Sequence, residues 1–490
     1  MEAEDTLKQK LQSELVLLGN EIANDAIEYK GNSPEKLQST ECEYRPAINL
    51  NYHHDGVGYS LDRDNFKRFI FHEWKNSTDL AEFVDTLTTK KSFDNALESI
   101  SALMEPHHLI RDAVERKKFL KVHVLKQFAF YISKEAIRDN FNKANLAGIA
   151  ESLISDISVE STVHFKAKIF LKNIYIDNDC IEIYNDVRLR RMGIEELNEY
   201  TTHTYESEMD RLTGRMRWVN CFLEIDVAAK NGVALKFDEI KQRIRHYAHS
   251  FISVLRLYKI ADIHEESVMY FTNSIMHYTF DENVPTPYSA YMDSGFLPRD
   301  GVSFYEKFTE EDIPKIQEAF NVLKPIVSKI RKASYFEGDP HEIGFHRYSD
   351  SLLRSQLHIN RISYCLYSLD AMLVLYTEQK KQDRITHRTA LIVSILLDKK
   401  LEEIKEKLLE AYQIRSLLVH GGKMDNTQKV FAQTQTKDII NYTRIVLAAF
   451  LQISVTKSKE EFIEILKGAD NKRGIDVFKE LLNSLHIPNI

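Results

Sequence analysis

One arginine and one histidine, five residues apart, carry the sharpest chemical signal in this 490-residue chain. They stand in the run Ala411-Tyr412-Gln413-Ile414-Arg415-Ser416-Leu417-Leu418-Val419-His420-Gly421. A guanidinium can hold two phosphoryl oxygens at once and neutralise the charge that grows on them. An imidazole can take a proton from a hydroxyl, or return one to a leaving oxygen, near neutral pH. The pair is equipped for phosphate-ester chemistry. The competing structural reading pairs Arg415 with a carboxylate on a neighbouring helix and leaves His420 as the residue before a helix-ending glycine.

The element that must position them reads as a helix over residues 401–420. At about 100° per residue, Leu401, Ile404, Leu408, Tyr412 and Val419 fall in one arc about 80° wide, the expected buried stripe. Arg415 falls in that arc too. A buried guanidinium is costly unless an anion or water meets it, so Arg415 needs a partner or an opening. On an ideal helix Arg415 and His420 point about 140° apart, so a compact site is easier to build from two copies of the chain. Gly421-Gly422 suits the helix C-terminus.

This run resembles the signature of HEPN domains, specifically their ApeA-like branch, where a helix carries a tyrosine, two residues, Arg-Ser, apolar residues and His-Gly. Upstream, residues 361–373 resemble the family helix that sets an acid inside an apolar run; the family usually has Glu where this chain has Asp370. His387-Arg388-Thr389-Ala390 and the residues through Leu397 are similar to the family's connecting helix. The likeness covers about 310–455, is looser over 160–300, where it resembles the domain preceding an ApeA-like bundle, and is absent over 1–155. It implies a metal-independent endoribonuclease of bacterial anti-phage defence, without cofactor; the scattered cysteines separately fit a reducing cytoplasm. The implied roles are Arg415 and His420 as catalytic residues, with Ser416, Asp370 and Tyr412 as supporting candidates. The implied partners are an RNA substrate, a second copy (or a higher oligomer) through the bundle, and a phage-derived trigger. Attack of the RNA 2′-hydroxyl would leave cyclic phosphate and 5′-hydroxyl ends, sparing DNA. The alternatives are an inactive HEPN scaffold that binds RNA or protein, and an antitoxin-like partner of another chain.

The remaining residues set the frame. Apolar residues make up 43 % and charged residues 28 %, which suits a folded chain. With 65 Lys and Arg against 73 Asp and Glu, the net charge of −8 offers no global attraction to nucleic acid. Four scattered cysteines give neither a disulfide framework nor a zinc module. The acidic N-terminus lacks the basic start and apolar core of a signal peptide, and no apolar run approaches the ~20 residues that span a bilayer. Phosphate-binding glycine loops and H-E-x-x-H helices are missing, and His53-His54 and His107-His108 lack further metal ligands at diagnostic spacing.

The expected fold is mainly α: a C-terminal HEPN-type helical bundle (305–490), preceded by a small mixed α/β domain (156–300) and an N-terminal, mainly helical region (1–155). Helical periodicity marks 80–104 and 111–132, with a loop or short hairpin over 31–63. Alternation predicts a hairpin of 164–176 with 180–184 around Asp177-Asn178-Asp179, a strand over 218–227 before the turn Asn231-Gly232, a helix over 238–260 and a strand over 268–275. Residues 281–300 read as a linker. Bundle helices are expected at 312–333, 348–378, 384–397, 401–420 and 436–455, with two shorter ones after. Two basic groups could grip a phosphate backbone: Arg116, Lys117, Lys118 and Lys121, and Arg188, Arg190 and Arg191 with Arg211, Arg215 and Arg217. The competing reading of each is a solvated face.

Overall fold

The computed structural model describes residues 2–488 except 45–47, 54–55, 62–66, 75–76, 105–111, 138–140, 158–161, 194–218, 231–236, 275–281, 286–303 and 331–337 and the single positions 185, 273, 356 and 470. The chain is mainly helical, with one small antiparallel sheet as its largest β element.

The first helix, α1 (Glu2–Asn32), buries Leu11, Leu15, Leu18, Ile22 and Ala26, a stripe at helical period. Residues 31–63 form more than one short hairpin. β1 (Leu37–Tyr44) pairs with β4 (Lys67–Trp74) around an inner pair, β2 (Ile48–His53) and β3 (Gly56–Leu61). Strands this polar show little alternation, which is why the outer ladder escapes a periodicity reading. Five helices follow: α2 (Ser77–Leu87), α3 (Lys91–Met104), α4 (Ala113–Leu120), α5 (Lys126–Ala136) and α6 (Leu146–Ile157). The single helix expected over 80–104 is two, because the hydroxyls of Thr86, Thr88 and Thr89 donate to the carbonyls of Phe83, Asp85 and Thr86 and end α2. These helices enclose a core of their own around Phe83, Phe93, Phe128 and Leu153.

The middle sheet has the order β11-β10-β5-β9-β8-β7, from β5 (Thr162–Lys172), β7 (Cys180–Tyr184), β8 (Val187–Arg191), β9 (Val219–Lys230), β10 (His264–Thr272) and β11 (Glu282–Pro285). Val163, Phe165 and Ala167 alternate inward, into the core they share with α7 (Phe237–Tyr258). The expected hairpin is corrected. Strand β7 pairs with β8, whereas β5 lies between β9 and β10. The short β6 (Ile174–Ile176) leaves the main sheet to pair in parallel with β12 (Glu306–Phe308). Asn231-Gly232 and all of the 281–300 linker but β11 lie outside the described residues.

The C-terminal helices are α8 (Asp312–Val327), α9 (Pro340–Leu353), α10 (His358–Leu373), α11 (Lys381–Leu397), α12 (Leu401–Val419), α13 (Asn426–Ile453), α14 (Lys459–Gly468) and α15 (Lys472–Asn483). The helix expected over 348–378 is divided before His358. The Ser355 hydroxyl accepts from the Leu357 N–H (3.2 Å) and the Asn360 side chain (2.9 Å), a serine turn with neither Gly nor Pro to announce it. Helices α9 and α10 then pack closely at Gly344, where a Cβ would sit 2.7 Å from Met372 Cγ. Helix α13 starts earlier than expected, at an Asp425/Gln428 capping box. Short connections make α10 to α13 alternate in direction, so the C-termini of α10 and α12 share one end of the bundle with the N-termini of α11 and α13.

Sheet and bundle share one continuous apolar core. At their joint, fully buried Asp262 accepts from both terminal nitrogens of fully buried Arg361, at 2.8 and 2.7 Å, and from the Phe304 N–H at 3.1 Å. Arg444 donates to the carbonyls of Leu257 and Pro488, and the Tyr348 hydroxyl to the carbonyl of Arg256. No helix of the described residues is long and apolar enough to cross a membrane.

Candidate active site at the end of the bundle

Helix α12 ends in a Schellman motif. The Gly422 N–H donates to Leu417 O (2.8 Å) and the Gly421 N–H to Leu418 O (3.4 Å), with Gly421 at φ +69°. A left-handed residue is cheapest as glycine, which explains Gly421, and a Cβ at Gly422 would sit 2.7 Å from Leu417 Cδ2, so both glycines have a structural explanation. His420 is the C-cap residue, φ −96°, and its side chain is exposed.

The buried stripe of α12 is Ile404, Leu408, Ala411 and Ile414, with Leu401 and Tyr412 half-buried beside it. Val419, expected in the stripe, is exposed, as are Leu418 and Ser416, because the last turn runs out beyond the packed part of the helix. Arg415 is thus at the margin of the stripe, half-buried, and among the described residues no carboxylate meets it. Its Nε is buried without a hydrogen-bond partner. Its guanidinium lies instead over two aromatic rings, 4.9 Å from the Tyr367 centroid on α10 and 5.6 Å from that of Tyr412. Arg347 of α9 sits over Tyr367 as well, at 5.9 Å.

Asp370, the candidate acid, is half-buried one turn along α10 from Tyr367, and has no hydrogen bond or ion pair to Arg415 or His420. It acts at a distance. Burial pushes the Tyr412 phenol up, with the Asp370 charge adding to this and Arg415 opposing it. Burial pulls the Lys459 ammonium down, while Asp370 and Glu378 hold it up. Arg415, Tyr412, Asp370 and Lys459 thus share one electrostatic neighbourhood. Ser416 is exposed, and its side chain makes no hydrogen bond to any member of it among the described residues. A cation with no counter-ion, held on ring faces beside an exposed imidazole, can receive an anion from solution; a cation already neutralised cannot.

The basic groups behave otherwise. Arg116 is buried, Lys117 pairs with Glu98 at 2.6 Å and Lys121 lies over the Phe93 ring, which leaves Lys118 as the exposed member. They make no continuous open stripe. Arg188 and Arg190 are spent on buried Glu224, and Arg188 also on Asp226, while Arg191 pairs with Asp179; Arg211, Arg215 and Arg217 lie outside the described residues. His54, His107 and His108 lie outside them too, as does the side chain of His53, and no described group of three or more His, Cys, Asp and Glu could hold a metal ion.

Sequence reasoning passed over Tyr367, although it lies three residues before Asp370 and therefore on the same helix face. It also missed a cavity at this end of the bundle, lined by Lys380, Arg384, His387 and Arg388 of α11 and its approach, and Lys467 of α14. The spacing 380, 384, 387, 388 is one face of a helix, a signal legible in advance. No family model matches this chain, and neither a curated protein nor a solved structure shows significant similarity to it.

Proposed function

We propose that the chain is an endoribonuclease of the HEPN type that works at Arg415 and His420, in a bacterial defence response in which phage infection releases RNA cleavage and arrests growth. The observation that carries this reading is the state of Arg415: half-buried, without a carboxylate, and stacked on Tyr367 and Tyr412 beside an exposed histidine. In the mechanism, His420 takes the proton of a ribose 2′-hydroxyl as that oxygen attacks the adjacent phosphorus, or gives one to the departing 5′-oxygen. Arg415 neutralises the charge developing on the non-bridging oxygens. The two tyrosines hold the guanidinium without lowering its charge. One helix turns Arg415 and His420 apart, and so the working unit is a dimer, each cleft completed by a second copy. Exposed Leu418, Val419 and Val430, flanking His420 on α12 and α13, offer apolar surface for that contact.

The test compares wild type with Arg415→Ala and His420→Ala, as purified full-length protein on labelled RNA. Loss of the acid–base group is expected to slow cleavage by about 10²–10⁴-fold, loss of the arginine by about 10²–10³-fold, and products should carry cyclic phosphate and 5′-hydroxyl ends. A chelator should change nothing. Equal rates in all three proteins would overturn the enzyme reading and leave a HEPN-like scaffold that binds RNA or protein.

A further inference from the structure

The loop between α10 and α11 is built more carefully than a connection requires. Glu378 is its hub. Its carboxylate accepts from both terminal nitrogens of Arg388 (2.8 and 2.6 Å) and from the Leu375 N–H (3.0 Å), and Arg388 also donates to Leu373 O at 2.6 Å. These bonds hold the Glu378 carboxyl down to about 2. The rigid loop presents two residues that its own stability does not call for. Tyr376 is 94 % exposed, the most exposed of the large apolar side chains described, with the Lys381 ammonium 5.2 Å from its ring. Lys380 adopts the left-handed conformation, φ +50°, where glycine or asparagine would be less strained. Its ammonium has no ion pair among the described residues, and it lines the cavity with Arg384, His387, Arg388, Lys467 and Asp383. Arg384 and Arg388 are paired with Glu378 (3.7 and 2.6 Å) and Lys467 with Glu464 (2.6 Å), so the charge left to meet an anion there is that of Lys380.

That cavity holds about 230 Å³ and is open on one side. It is smaller than the roughly 300–1,000 Å³ that encloses a whole small-molecule ligand, and fits one phosphate and sugar of a longer chain. A flat exposed ring next to a cationic recess is the pairing that single-stranded nucleic acid uses: a base stacks while the neighbouring phosphate is gripped. A protein partner would want apolar relief around the tyrosine; here the Lys381 ammonium lies against the ring and Lys380 follows four residues along the same loop. By the topology of the bundle this loop shares an end with Arg415 and His420, and Lys459 feels the charges of both Asp370 and Glu378.

We infer that Tyr376 and the Lys380–Arg384 recess form a binding subsite for single-stranded RNA, placing a base on the ring and a phosphate in the recess, away from the scissile bond. The inference rests on the ribonuclease reading for the identity of the polymer. Binding of a labelled single strand about ten nucleotides long to the full-length His420→Ala protein tests it without cleavage. Added Tyr376→Ala should weaken binding about 5- to 150-fold, the loss of one stacked base, and Tyr376→Phe should restore it. Lys380→Glu with Arg384→Glu should weaken binding and flatten its salt dependence. Inorganic phosphate should compete only weakly, whereas competition as strong as that of RNA would make this a free-anion pocket and overturn the inference. Wild-type binding by the Tyr376 and the charge variants would overturn it as well, and cleavage that still depends on Arg415 and His420 would then leave the proposed function standing. If instead the wild-type protein binds RNA through Tyr376 yet cuts none, the subsite stands and the nuclease falls.

Discussion

Two arginines on parallel helices of the bundle, each on an apolar stripe, meet opposite fates. Arg361, in the first turn of α10, is fully buried against Asp262, with the Phe304 ring 4.8 Å from its guanidinium. Arg415, near the end of α12, has ring faces and, among the described residues, no carboxylate. The first fastens the sheet to the bundle; the second has an unused charge at an open edge. An arginine among apolar residues is therefore ambiguous until its partner is known. The cost of an unpaired guanidinium rises steeply with burial, so only at the margin can one persist without an anion.

This contrast can be broken at several points. The largest effect is expected at the joint. Asp262→Ala strands Arg361 in the core and should destabilise the fold by about 3–5 kcal/mol, whereas replacing both partners with apolar residues should be near neutral; urea unfolding of the three proteins decides. A loss under about 1 kcal/mol for Asp262→Ala would mean that the joint tolerates a lone charge and that Arg415 is not special.

Next comes Glu378, the hub of the loop next to the proposed site. Hydrogen bonds from Arg388 hold its carboxyl down to about 2, below its ordinary range. A group whose folded value is depressed stabilises the fold fully above its unfolded value and loses that contribution as the pH falls toward the folded one. Glu378→Gln should therefore lower the melting temperature at pH 7, with the gap to wild type closing between about pH 5 and pH 2. A gap that stays constant with pH would mean that the charge on Glu378 does not hold the loop.

A smaller loss follows from the α12 cap. Gly421→Ala places a Cβ at φ +69° and should cost about 1–2 kcal/mol, read by chemical denaturation. Smallest of all is the structural effect of Arg415→Ala. Its ring contacts at a part-exposed site contribute about 0.5–1 kcal/mol, so the variant should fold and melt nearly as wild type while losing cleavage. A collapse in stability would move Arg415 into the class of Arg361.

Much of the frame was legible in advance. The α12 helix and its glycine end follow from period and cap chemistry, and the helical character of the third region from its apolar spacing. Other parts hide for definable reasons. The break between α9 and α10 is made by the hydroxyl of Ser355, set between Arg354 and Gln356 in the sequence, where neither glycine nor proline marks it. Strands β6 and β7 sit on either side of a good turn cluster, yet each pairs elsewhere, because pairing depends on which distant strand is free. The cation groups around Arg116 and Arg188 look open in one dimension and are largely neutralised in three.

From its residues alone the chain specifies that Arg415 and His420 lie at the end of one amphipathic helix, five positions apart and turned from each other, because helical geometry is local. Which arginine would be neutralised was beyond that reach. Asp262 lies 99 residues from Arg361, and Tyr367 reaches Arg415 only once α10 and α12 run side by side. Long-range packing delivered a carboxylate to one guanidinium and the Tyr367 ring to the other, which already had Tyr412 one turn back on its own helix, and that difference in partner leaves Arg415 without a neutralising carboxylate among the described residues.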